Sequence, residues 1–136
     1  MSSHQPVVTD QILDLIESRS DEQRGNRRMS NEVVQALKDC GFYTMMLPKK
    51  WGGQEQRPQE FFREQIRIAE ADMSTAWASG IIAVHAFQIA LMSEEAQREV
   101  YEVDPNTLVS SSYNPVGAKA ASSDGGFMLS GRWGWS

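Results

Sequence analysis

Residues 73–92, MSTAWASGIIAVHAFQIALM, set the tightest limit on what this chain can fold into. The stretch is apolar on most faces, and a helix of that kind needs neighbours on most faces. Other elements must therefore be arranged around it. Its small residues, Ser74, Ala76, Ala78, Ser79, Gly80 and Ala83, permit close approach of another backbone or of a ligand. No unbroken apolar run reaches the ~20 residues needed to cross a bilayer, so a helix inside a globular domain is predicted, not a membrane span.

The flanking sequence supplies partners for it. Thr9 or Asp10 caps a helix with a stripe of Ile12, Leu13, Leu15 and Ile16, predicted to run out in the polar stretch SRSDEQRGN. Ser30 caps a second helix carrying Val33, Val34 and Leu37 and closing at Gly41. FYTMMLPKKWGGQ is a connector, stopped by Pro48 and turned at Gly52 and Gly53. Pro58 suits the first turn of a third helix with Phe61, Phe62, Ile66 and Ile68, and Ser93 caps the short helix EEAQREVY. Then the period changes. TLVSSSYNP is predicted as a short strand and GGFMLSGRWGWS as its hairpin partner, the turn lying at Ser123, Asp124, Gly125 and Gly126. Helices followed by antiparallel strands indicate an α+β chain: a mostly α-helical N-terminal domain, then the opening of an antiparallel β domain. The final RWGWS stops in mid-strand, which suggests either an edge strand or a truncated larger protein.

At 136 residues the chain fits one ordinary domain, or one small domain plus part of a second. Thirteen basic against eighteen acidic residues argue against a nucleic-acid surface, and RGNRR at 24–28 reads as a solvated connector. The lone Cys40 allows no internal disulfide and reads as an inert thiol; one cysteine and two histidines make no convincing metal site. The N-terminus lacks the pattern of a secretory signal, so a cytoplasmic setting is the default. KKWGGQ lacks the spacing of a phosphate loop, and no Gly-x-Ser-x-Gly elbow marks a hydrolase.

Three stretches could carry chemistry. His85 is an isolated titratable group in GIIAVHAFQIAL; it can grip a phenol or relay a proton, or simply be a core histidine bonded to a carbonyl. SSSYNP at 110–115 offers small donors and acceptors at a strand end. The tryptophans of RWGWS could cover a flat ring, or pack in a core. The lack of an evident acid–base set suits a chemistry carried by a cofactor.

Taken in order, DCGFYTMMLPKKWGG, IAEADMSTAWASGIIAVHAFQIALMSEEAQREVY and VSSSYNPVGAKAASSDGGFMLSGRWGWS resemble the acyl-CoA dehydrogenase superfamily from about Ile12 to Ser136. Departures at Tyr113, Asn114 and Pro115, and GRWGWS in place of a Lys-x-Trp-Ile-type segment, resemble its branch of flavin-dependent aromatic monooxygenases, the oxygenase components of two-component systems. The resemblance implies a helical domain over 1–105 and the start of a central β-barrel over 106–136, incomplete in this chain. It implies hydroxylation of a phenol or related aromatic by molecular oxygen, through a C4a-hydroperoxide of reduced flavin (FMN, which is preferred, or FAD) delivered by a separate reductase. His85 and Ser111 would hold the substrate, with His85 and Ser136 catalytic. Tyr113 and Asn114 would lie by the flavin's pyrimidine edge, Trp135 beside the isoalloxazine, and Ser136 near N5. No metal, membrane or nucleic acid is implied. The family also implies a homotetramer, and that this stretch ends inside the flavin pocket and is inactive alone. Two other readings stay open: an acyl-CoA dehydrogenase proper, its carboxylate base lying elsewhere, and a non-enzymatic helical interaction module.

Overall fold

The computed structural model describes residues 6–134. Five α-helices come first and a two-stranded antiparallel hairpin last, in agreement with the α+β expectation. Helix α1 (Asp10–Asn26) packs on α2 (Asn31–Asp39) and α3 (Pro58–Ala71), and α3 lies along α4 (Met73–Ile89). The core joins Ile16 of α1, Val33 and Leu37 of α2, Phe42 and Met45 of the following turn, Phe61 and Ile68 of α3, and Ala76 and Ala83 of α4. Each large side chain fully buried there contributes about 1.5–3 kcal/mol.

Helix α4 begins where one residue does two jobs. Asp72 is extended, its amide closes α3 on the Ile68 carbonyl at 2.8 Å, and its carboxylate caps α4 by accepting from the Thr75 amide at 2.7 Å. Gly80 allows the crossing with α3, because a Cβ there would come within 2.0 Å of Gln65 Nε2. Gln65 uses that room to donate to the Ala76 carbonyl. At the far end, α5 (Glu94–Tyr101), capped by Ser93, is locked by buried Gln97, which accepts from Trp51 Nε1 at 3.0 Å and donates to the carbonyls of Met92 and Ala90. The N-terminal segment is strapped on by buried Glu64, which accepts from the Val8 amide at 3.0 Å and from Arg67 at 3.1 Å.

Three expectations are corrected. Helix α1 does not run out in SRSDEQRGN but continues through it to Asn26. The reason is a buried polar side chain: Gln23 donates to Thr75 Oγ1 at 3.0 Å and accepts from the Ser30 amide at 2.9 Å, so the polar stretch faces inward at that point. RGNRR is thus the end of a helix, with Arg27 in the left-handed region as its cap. Second, the strand paired with β2 (Gly126–Ser130) is β1 (Lys119–Ser123), not TLVSSSYNP. The tight turn at Asp124 and Gly125 sets Ser123 opposite Gly126 and so claims the nearest residues for pairing. Residues 107–113 form no ladder, and Asn114 alone bridges to Gly134. Third, α4 is not covered all round. Met73, Trp77 and Ile81, at i, i+4 and i+8, form an exposed apolar stripe along it.

KKWGGQ is a turn, as expected. Its amides bond inward, Gly53 to Pro48, Gln54 to Thr44 and Glu55 to Leu47, and a Cβ on Gly53 would strike the Leu47 carbonyl at 2.1 Å.

Candidate active site

Four residues from α4 and the following extended segment meet at one end of the helix. The segment leaves a turn organised by Asp104, whose carboxylate accepts from the Asn106 amide at 2.8 Å. Leu108 then packs on the main core and Val109 on the smaller cluster of Leu47, Ala86, Ile89 and Tyr101. Anchored there, residues 111–114 run past α4 with alternate side chains on opposite sides. Ser111 meets His85, and Tyr113 accepts from the Gln88 amide. Ser112, between them, points away and donates to the Gly134 carbonyl. His85 and Gln88, three positions apart, share one helix face.

His85 is 4% exposed. Its Nδ1 lies 2.6 Å from the Ile81 carbonyl oxygen, which can only accept, so Nδ1 donates. In the neutral ring this leaves Nε2 as an acceptor, 2.6 Å from Ser111 Oγ, whose hydroxyl therefore donates. A buried neutral imidazole in that tautomer can receive a hydrogen bond from a ligand's hydroxyl, or take up its proton, once Ser111 turns aside from the Nε2 lone pair. A core histidine satisfied on both nitrogens has the same two bonds, so the contact fixes the ring's placement and leaves its role to the functional test.

Trp77 is 67% exposed on α4, on the groove it shares with Phe62 and Ile66 of α3, and Trp133 precedes the Gly134 that pairs with Asn114. Next to the pair itself, Tyr113 is 74% exposed, and its phenol ring and hydroxyl are of the kind that can meet a flat ring system with a polar edge. His85 and Ser111 are thus brought into contact and Tyr113 reaches the same helix through Gln88, whereas Asn114 is bridged to Gly134; Trp135 and Ser136 lie outside the described residues. Sequence reasoning missed Gln88 and Ser112. The i, i+3 spacing of His85 and Gln88 was the available signal for the former.

No group of three or more His, Cys, Asp or Glu able to hold a metal occurs among the described residues. Nor is any described helix long and apolar enough to cross a membrane. Burial pushes the Cys40 thiol pKa up, and its Sγ donates to the Leu37 carbonyl, as an inert thiol would.

Comparison with known proteins gives the same picture. The family profile of the acyl-CoA dehydrogenase N-terminal domain matches residues 6–102. The oxygenase subunit HsaA of a flavin-dependent monooxygenase from Mycobacterium tuberculosis is 42% identical over 130 residues, which is 96% of this chain and 33% of that protein. The oxygenase component of p-hydroxyphenylacetate 3-hydroxylase from Acinetobacter baumannii is 35% identical over 93% of this chain and 30% of its own length. Among solved structures, the 3-HSA hydroxylase from Rhodococcus sp. RHA1 superimposes with a TM-score of 0.92 at 36% identity, covering 100% of this chain and 36% of that one. The chain therefore spans about a third of the length of the relatives it matches.

Proposed function

We propose, from the premise that this chain belongs to the acyl-CoA dehydrogenase family through its N-terminal domain, that it forms the substrate-holding wall of a flavin-dependent aromatic hydroxylase. One observation carries the choice of hydroxylation over acyl-CoA dehydrogenation: with Nδ1 donating to the Ile81 carbonyl, the neutral His85 ring presents Nε2 as an acceptor, 2.6 Å from Ser111. A phenol brings a donor to that lone pair. A thioester carbonyl brings none.

In this reading Nε2 receives the phenolic hydrogen, and Ser111 turns to bond the same oxygen. Drawing the proton toward Nε2 raises electron density at the ring carbons ortho and para to the oxygen, where an electrophilic oxygen atom adds. When bound, reduced flavin supplies the two electrons with which dioxygen gives one atom to the ring and the other to water. Tyr113 and Asn114 are assigned to the flavin's polar edge, with Trp135 and Ser136 beside its ring and N5. Residues 1–105 are taken as the helical domain and 106–136 as the start of the β domain. The names of the relatives support a separate reductase as partner; FMN as the preferred flavin, a homotetramer and a cytoplasmic location complete the proposal.

The test uses the complete protein with a flavin reductase, a series of simple phenols and oxygen. Hydroxylated product is expected by mass spectrometry. Oxidation of acyl-CoA with an artificial electron acceptor, and no phenol product, would refute the reading. His85→Ala should lower phenol kcat/KM by about 5- to 150-fold, the worth of one buried hydrogen bond, with flavin affinity unchanged. Unaltered hydroxylation would remove His85 from the site.

A further inference from the structure

The two links between α4 and the extended segment run in opposite hydrogen-bond directions. At the first, the segment donates: Ser111 gives its proton to His85 Nε2. At the second, the helix donates: the Gln88 side-chain amide gives a hydrogen to the Tyr113 oxygen. A phenolic oxygen that accepts from one side keeps its own proton for another partner. That proton engages no described residue, and the Tyr113 side chain is 74% exposed.

We propose that Gln88 is a positioning residue, which by holding Tyr113 as an acceptor turns the tyrosine's proton outward as a donor to a carbonyl oxygen on the polar edge of flavin. The inference rests on the flavin-binding reading above. It adds to it a residue that touches neither substrate nor flavin. A plain tether would be indifferent to which partner donates. A device for presenting a donor is not, and the distinction can be measured.

Gln88→Glu is nearly isosteric but reverses the bond. An ionised carboxylate only accepts, so it would keep the link to Tyr113 while consuming the tyrosine's proton. Tyr113→Phe removes the donor outright. Gln88→Met breaks the link. In the complete protein, binding of reduced flavin is followed anaerobically by fluorescence and equilibrium dialysis, with thermal melting as the control on folding. Gln88→Glu and Tyr113→Phe should each weaken reduced-flavin binding by about 2- to 10-fold, the worth of one neutral hydrogen bond. The double variant should be no weaker than either single one, and melting of Gln88→Glu should match the unsubstituted protein. Unchanged affinity in Gln88→Glu with a loss in Gln88→Met would reduce Gln88 to a tether and overturn the proposal. So would a neutral Tyr113→Phe. If the unsubstituted protein binds flavin but these variants do not differ from it, only this inference falls; if it binds no flavin, the functional reading falls and takes the inference with it.

Discussion

Removing the Ser111 hydroxyl should unsettle the site in a way that reports on the imidazole beneath it. In Ser111→Ala, His85 Nε2 loses the donor 2.6 Å away, and at 4% exposure the ring has little access to water. A buried acceptor left unpaired costs about 1–3 kcal/mol, whereas replacing both partners by apolar groups of similar shape is nearly neutral for that bond. The pair should therefore be non-additive. With Ser111→Ala, His85→Phe and the double variant, the coupling energy should reach about 1 kcal/mol or more. Urea denaturation followed by far-ultraviolet circular dichroism measures it. With a slope of roughly 2 kcal/mol per molar urea, Ser111→Ala should lower the midpoint by about 0.5–1.5 M at unchanged slope. The lost tether should also speed amide exchange at Ser112 and Tyr113 before the core exchanges. A coupling within about 0.3 kcal/mol of zero would show that the two side chains do not bond in solution, and the tautomer argument would fail with them.

Two further outcomes test the scaffold. Tyr43 is buried with no partner for its hydroxyl among the described residues, and burial pushes its pKa up to about 12. Its neutral form is favoured by folding, so this contribution is whole below the unfolded value near 10 and is lost as pH rises through the folded one, about 2–3 kcal/mol in all. Tyr43→Phe should match or exceed the native stability at pH 7.5 and abolish the alkaline loss when urea titrations at pH 7.5 and about pH 11 are compared; a deficit above about 1 kcal/mol at neutral pH would mean that the hydroxyl has a partner. Gly80→Ala forces Gln65 out of its slot and should cost about 1 kcal/mol. In a Gln65→Ala background the clash is gone and the higher helix propensity of alanine remains, so the same change should stabilise by about 0.5–1 kcal/mol, and failure of the sign to change would refute the interlock.

The elements announced by local chemistry could be read from the sequence. Ser30 and Ser93 accept from amides of the first helical turn, Pro58 opens α3, and the turn at Asp124 and Gly125 closes the hairpin, all from interactions within a few residues; the cap at Asp72 is as local and was overlooked. What escaped depends on distant partners. Helix α1 looked finished in a polar stretch because Gln23 is satisfied by Thr75, 52 positions away. TLVSSSYNP has strand-forming residues, but β1 stands closer to the turn and takes the ladder. At the site, the residue types of His85 and Ser111 did not announce that the two side chains, 26 positions apart, would bond each other. Gln88 passed as a polar exception in an apolar helix because the tyrosine it bonds lies 25 positions further on.

The alternation along residues 111–114 has an evolutionary consequence. Odd-numbered side chains address the helix and Ser112 addresses Gly134, so spacing at these positions is constrained as well as identity. A single inserted or deleted codon there would exchange the two sides at once, presenting Ser112 to the imidazole and turning Ser111 or Tyr113 toward the neighbouring strand. In descendants of this gene, indels should accumulate in the hairpin turn and spare this tetrapeptide.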